Sequence, residues 1–348
     1  MPLELSRYLE LNKNRLSPLL ILTHDYPDPD ALASAYALQY LAELKGGIKS
    51  RIAYGAVIGR IENQEMVRLL KIPAYKVRNS DFRRYASVAL VDTQPGFENN
   101  SFPRGRDPAI IVDQHVVGPL PEADFKLIDT DAGATSMLLA RELLALEVQI
   151  PVRLATALVY GILSDTLDFY RVAKQETVET YMKLLPSCDV HVLARIQNPS
   201  RPRKFFRDLA RCISKSRIRQ KLIVSHLGEV DNPDLVSQMA DFLMACEGMQ
   251  WTFCTGRHGE NLHVSLRTSI SEGGAGVVLR DIFNHPRHAG GHGQIAGGKY
   301  RVGKGQGEDV WEQAEALLTE RLVNRLHLRS NTQFQLLTES GTTIRRQG

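Results

Sequence analysis

Cysteine is scarce in this chain. Four occur in 348 residues, at 188, 212, 246 and 254, with no Cys-x-x-Cys pair among them. That spacing excludes a disulfide framework and predicts reduced thiols in a cytoplasmic protein. Long hydrophobic runs are missing too: none approaches the roughly 20 residues that a bilayer-spanning helix needs, so no membrane partner is expected. The opening Met-Pro-Leu-Glu-Leu-Ser-Arg lacks the apolar core of a signal peptide, which points the same way. No P-loop sequence is present. The glycine-rich stretch after residue 288 contains Gly291-x-Gly293-x-x-Ala296, but no β-rich strand runs into it and no acid follows at the required distance. A dinucleotide fingerprint is therefore excluded.

What is present reads as an ordinary globular protein, with 43% hydrophobic and 24% charged residues, long enough for two domains with proper cores. The net charge of +4 is unevenly spread. Ten basic residues and one acid, Asp208, lie between Arg195 and Lys221, which makes that segment +9 and leaves −5 on the rest. The run reads either as a solvated helix face or as an electrostatic lure for an anionic substrate. Phe205 and Phe206 are its only aromatic residues suited to base stacking, so short substrates fit better than long strands.

The organising stretch is Thr23-His24-Asp25-Tyr26-Pro27-Asp28-Pro29-Asp30. An apolar strand, Leu19–Leu22, precedes it, and a helix from Ala31 to Leu44 follows, with Leu38, Leu41 and Leu44 predicted on one side. A simpler account makes Asp30 a helix cap, Asp28 an Asx turn and His24 incidental. Further strands weigh against it, because each also ends in a carboxylate. Ser87–Val91 ends at Asp92, and Ala109–Val112 ends at Asp113-Gln114-His115. Strand Phe125–Ile128 leads to Asp129, and an apolar helix from Val152 delivers Ser164-Asp165-Thr166. Strands alternating with helices predict a parallel sheet, whose carboxyl ends gather ligand-binding groups. Several carboxylates in one crevice cannot all stay ionised without a cation, and oxygen ligands mixed with imidazole suit a divalent metal.

These motifs resemble the DHH phosphoesterases, most closely their RecJ-like, nanoRNase (oligoribonuclease) branch with its associated C-terminal substrate domain. The likeness runs from about residue 18 to 326 and rests on His24-Asp25-Tyr26-Pro27-Asp28-Pro29-Asp30, Val91-Asp92, Asp113-Gln114-His115 and Tyr160–Thr166. In the second half it rests on Ser265-Leu266-Arg267 and Gly290-Gly291-His292 with Ala296-Gly297. The resemblance implies an α/β architecture: a parallel-sheet catalytic domain (1–190), a helical basic linker (191–220), a smaller α/β substrate domain (221–326) and a tail (327–348). It implies two ions, Mn²⁺ or Mg²⁺, with His24 and Asp28 on one, Asp30 and Asp165 on the other, and Asp92 bridging. Asp113 and His115 would act beside Asp92 in catalysis, while Arg267, Gly290, Gly291 and His292 would grip a terminal phosphate. Gln114 stands where the family has a metal-binding histidine and is at best a weak ligand, and Leu167 stands where a glycine is usual. The implied substrates are short oligonucleotides, linear or cyclic dinucleotides or 3′-phosphoadenosine 5′-phosphate, and a homodimer is a further expectation. The alternatives are a nucleotide-binding regulator weakened by Gln114, and a pyrophosphatase or polyphosphatase.

Overall fold

The computed structural model describes residues 3–85, 87–97, 99–115, 121–170, 174–270, 273–283, 289–329 and 332–339, with the His292 side chain excepted. The chain divides into two compact units, 1–199 and 200–348.

The first unit is built on six parallel strands: β1 Leu19–Leu22, β2 Ser50–Tyr54, β3 Ala74–Lys76, β4 Ser87–Val91, β5 Ile110–Asp113 and β6 Phe125–Ile128. Their order across the sheet is β3-β2-β1-β4-β5-β6. The central strands β1, β4 and β5 are buried along their whole length, and almost wholly apolar, because both faces are covered. Leu19 and Ile21 pack into one cluster with the helices Pro29–Gly46, Thr135–Ala145 and Val152–Thr166. Leu20 and Leu22 point the other way, toward Tyr85, Val88, Leu90 and Ile111. In the 29–46 helix Leu38 and Leu41 are buried as expected, but Leu44 is 44% exposed. The inward face is carried instead by small residues (Ala31, Ala33, Ala35, Ala37) that let the helices approach closely.

The 152–166 helix ends in an unusual way. Leu167, Asp168 and Phe169 have φ of 49°, 53° and 64°, three left-handed residues in succession. Leu167 is 40% exposed, so its side chain gains little from burial there. A left-handed non-glycine residue costs about 1–2 kcal/mol, and glycine's extra unfolded-chain entropy returns only part of that difference. Leu167→Gly is therefore expected to stabilise the first unit by roughly 0.5–1 kcal/mol, read as a Tm rise of about 1–4 °C in a thermal melt.

The second unit holds a mixed sheet of seven strands. They are β7 Arg217–Arg219, β8 Leu222–Glu229, β9 Trp251–His258, β10 Asn261–Thr268, β11 Ala289–His292, β12 Ile295–Arg301 and β13 Gln335–Leu336, in the order β11-β12-β10-β9-β8-β7-β13. Among the described residues of this unit only β8 and β9 pair in parallel, through the crossover helix Asp234–Met244. Phe253 and Leu266 face the helices Ala275–Phe283 and Glu308–Arg325. Cys254 and Ile223 face the opposite layer, with Cys212 and Met239.

Two readings of the sequence are changed here. The glycine-rich Gly290-Gly291-His292 segment, given no strand above, is strand β11 in a hairpin with β12, with Gly290 opposite Gly297 and Gly291 opposite Ala296. The basic stretch 191–220 is divided between the units. Leu193 and Ile196, on the Val190–Gln197 helix, enter the first core. Cys212, on the Arg203–Lys215 helix, enters the second, with Leu209 packed against it. Residues 335–336, within the expected tail, pair with β7.

One imidazole in the second unit gives a pH handle. His263 on β10 has its pKa pushed down to about 4, by burial first and then by Lys299 and His258. An unfolded histidine titrates near 6.5, so between about 6.5 and 4 the unfolded chain binds the extra proton and the fold loses stability as pH falls. His263→Gln should flatten the decline in Tm over that window and leave the melt above pH 7 unchanged in slope.

Candidate metal centre

The strand order places the turn after β1 beside the turn after β4. β2 and β3 extend the sheet to one side of this pair and β5 and β6 to the other, so the order reverses there, and open parallel sheets bind ligands at such a point. His24, Asp28 and Asp30 follow β1, Asp92 follows β4, and Asp113 closes β5 with Gln114 and His115 after it.

Asp28 is the N-cap of the 29–46 helix, its Oδ1 accepting the Ala31 amide at 3.0 Å. The simpler account made Asp30 the cap; Asp28 takes that role instead, and the cap holds its carboxylate facing His24. His24 Nε2 lies 3.9 Å from Asp28 Oδ1 and 3.6 Å from Asp92 Oδ2. Among the described residues, two groups can offer ligand atoms to an ion: His24, Asp28 and Asp92, and Asp92, Asp113 and His115. Gaps of 3.6–3.9 Å are too long for hydrogen bonds, yet suit ligands each about 2 Å from one cation. The donor set of one imidazole and two carboxylates fits a divalent ion of the Mn²⁺ or Mg²⁺ kind.

Asp92 is buried and holds φ of 57°, a left-handed conformation that aspartate tolerates better than most residues. The Thr135 hydroxyl donates to its Oδ1 at 2.8 Å. Burial, then the charges of Asp30, Asp28, Asp113 and Asp165, push its carboxyl well above the usual range. Asp30 is buried as well, and it does not cap its own helix. Its two oxygens accept the Thr135 and Ser136 amides, at 2.7 and 2.8 Å, at the start of the 135–145 helix. Burial, then Asp165 and Asp28, raise its pKa strongly. Asp28 goes the other way: its enclosure acts upward, but the His24 imidazole and the Ala31 amide outweigh it and the net shift is down.

His115 Nδ1 sits 2.8 Å from Asp113 Oδ1 and 3.6 Å from Asp92 Oδ1. Burial would lower its pKa, but the bond to Asp113 and the surrounding carboxylates prevail, so the imidazole holds its proton above the ordinary range. Gln114 donates its side-chain amide to Asp165 Oδ2 at 2.6 Å.

Sequence inspection missed Gln94 and Thr135. Gln94 is buried, and its Nε2 donates to Asp113 Oδ2 at 2.6 Å and to the His115 carbonyl at 3.1 Å. It lies two residues beyond Asp92, and a polar residue so close to a strand-end acid was the available signal. Thr135 opens a helix directly after Gly133-Ala134, where small polar residues mark amides free to bind an anion. Asp25, inside the first motif, is a strut: its carbonyl accepts the Ala56 and Val57 amides, and its carboxylate takes the Ser101 hydroxyl.

The remaining expected residues belong to the second unit. Arg267 is buried on β10, with Nε on Asp241 at 2.5 Å and Nη1 on Ser265 Oγ, Leu266 O and Ala296 O. Gly290 and Gly291 lie on β11, two strands from Arg267 across β12. The His292 backbone ends β11, and the expectation for its side chain lies outside the described residues.

The structure of an exopolyphosphatase-related protein from Bacteroides fragilis matches this one with a TM-score of 0.70, at 15% identity, over 92% of this chain and 97% of the other. The chain has the DHH-type fold. A weaker likeness, TM-score 0.49 at 16% identity over 94% of this chain and 96% of the other, is to an exonuclease RecJ bound to manganese. In sequence, the chain is 35% identical over 301 residues to an uncharacterized protein of Methanocaldococcus jannaschii, a match that takes in 85% of this chain. It spans 61% of that relative's length. No family model matches. Among the described residues, no helix is long and apolar enough to cross a membrane.

Proposed function

We propose that this chain is a metal-dependent hydrolase of phosphoester bonds, of the DHH phosphoesterase kind, acting on short oligonucleotides, dinucleotides or 3′-phosphoadenosine 5′-phosphate. The observation that carries it is the convergence of His24, Asp28 and Asp92, with the His24 nitrogen 3.9 and 3.6 Å from the two carboxylates, where the sheet order reverses. A Mn²⁺ or Mg²⁺ ion held by these three would supply Lewis-acid stabilisation of charge developing at phosphorus. The rest falls to the protein. Asp113, itself gripped by Gln94, fixes the His115 ring and favours its protonated form. His115 is then a positioned proton donor for the leaving oxygen.

In the second unit, Arg267 is the proposed anchor for a terminal phosphate. Asp241, Ser265 and two carbonyls hold the guanidinium in place, which lowers the entropy lost on binding. Gly290 offers a bare backbone, since a Cβ there would meet nothing within 4 Å. His292 is assigned to the same group by resemblance, and a homodimer in the cytoplasm remains part of the proposal.

The test is Mn²⁺-dependent release of mononucleotide from pApA and from a short RNA ladder, alongside phosphate release from 3′-phosphoadenosine 5′-phosphate and from pyrophosphate. Turnover that falls with RNA length and disappears with a chelator is the expected result. Preference for pyrophosphate or polyphosphate would reassign the substrate. Nucleotide binding without turnover of any of them would leave a regulator and remove the enzyme.

A further inference from the structure

The groups that the resemblance spreads over two ions are satisfied unequally in this protein. The gap between His24 Nε2, Asp28 Oδ1 and Asp92 Oδ2 is not closed by any hydrogen bond between them, at 3.9 and 3.6 Å. Carboxylates of the other set take donors of the protein itself, as Asp28 Oδ1 takes the Ala31 amide, but there one donor is the side chain at the position where the resemblance expects a histidine ligand. Both oxygens of Asp30 take backbone amides, from Thr135 and Ser136. Asp92 Oδ1 takes the Thr135 hydroxyl. Asp165 Oδ2 takes the Gln114 side chain at 2.6 Å.

That last contact fixes which end of the glutamine is presented. Against a carboxylate only the amide nitrogen can face inward, because its N–H donates and an oxygen in that place would set acceptor against acceptor. An N–H supplies the carboxylate with positive character, as a cation would, but it has no lone pair to give to a cation. The residue at 114 thus takes the place of an ion without being able to hold one.

We infer that the centre of this chain binds a single divalent cation, on His24, Asp28 and Asp92, and that Gln114, through its hydrogen bond to Asp165, closes the position of a second. The inference rests on the metal reading proposed above. It also gives His115 more to do, since one ion leaves the charge on the leaving oxygen to the imidazole.

The experiment counts ions on the 348-residue chain, stripped with a chelator, equilibrated with Mn²⁺ and desalted. Bound manganese is measured by mass spectrometry and the electron paramagnetic resonance spectrum is recorded. Wild type should hold one ion per chain with the hyperfine pattern of an isolated Mn²⁺. Gln114→His, which replaces the donor with a lone pair, should hold two and show the altered spectrum of an exchange-coupled pair. Asp28→Asn keeps a helix-capping side chain but removes the charge, and it should hold none. Should Gln114→His fail to fold, Gln114→Glu offers an oxygen ligand and carries the same expectation.

Two ions in wild type would overturn the inference and leave the metal reading standing. No ion in wild type would overturn the metal reading itself. One ion in both wild type and the 114 variant would show that Gln114 does not decide occupancy, which also overturns the inference.

Discussion

Asp92→Asn is expected to remove Mn²⁺-dependent hydrolysis while raising the melting temperature of the metal-free chain. The two effects have one cause. Asp92 carries a negative charge into a buried site already crowded by Asp28, Asp30, Asp113 and Asp165, which makes the charged form costly to the fold. Asparagine relieves that cost, adopts the left-handed backbone at φ of 57° without penalty, and its carbonyl oxygen can still accept the Thr135 hydroxyl. What it cannot supply is the charge shared between His24 and His115. Loss of an outer hydrogen-bond partner of a metal site costs about 10–100-fold, so loss of this carboxylate should exceed 100-fold in rate. Initial rates in Mn²⁺ and a melt in chelator measure both. A variant within about tenfold of wild type would remove Asp92 from the chemistry.

Gly276→Ala is expected to damage the second unit far more than Gly290→Ala. A Cβ at 276 would sit 2.0 Å from the Gly291 carbonyl oxygen, and one at 291 would sit 2.3 Å from the Ile295 carbonyl oxygen. Backbone meets backbone at both places, so no side-chain rotation relieves the clash. The start of the 275–283 helix must move off the β11–β12 hairpin, at the upper end of overpacking costs, about 2–3 kcal/mol. The melt of that unit should fall by roughly 5–10 °C. Gly290→Ala is the internal control: its Cβ would meet nothing within 4 Å, and its Tm should stay within about 1 °C. Equal losses at 276 and 290 would mean that close packing is not what the hairpin glycines provide.

Much of this architecture was legible in the residues. The runs at Leu19–Leu22 and Ser87–Val91 could be read as strands because burial on both faces leaves them almost wholly apolar, whereas Phe125–Ile128 is only partly buried and exposes Lys126. The strand-end acids followed from them. What escaped was set by tertiary partners. Strand β3 is only Ala74–Lys76 and is defined by its pairing with β2. Helix Glu4–Leu11 is short, and a distant group supports it: the buried Glu142 carboxylate accepts the Leu5 amide and the Ser6 hydroxyl. The hairpin at Ala289–Arg301 was hidden by its glycines, which are poor strand formers and lie there for close approach to a helix. Gln94 and Thr135 resembled any other polar residue until the carboxylates they hold were placed. The second basic helix shows both sides of its composition. Asp208 pairs with Lys204 and Arg211 at its inner edge, while Arg203 and Arg207 stay exposed.

The pairing of β1 with β4, in the register Leu19 to Ser87, has a consequence for the order in which the molecule assembles. Two hairpin-like neighbours would meet early, but these central strands are parallel and far apart along the chain, and closing so long a loop is slow. Until β4 is seated, Asp92 has no fixed place, and the carboxylate that faces both His24 and His115 is missing. The centre is therefore absent from any partly folded form of the first unit, and an ion added during refolding should stabilise the end state without hastening its formation. Whatever binds there recognises the finished sheet.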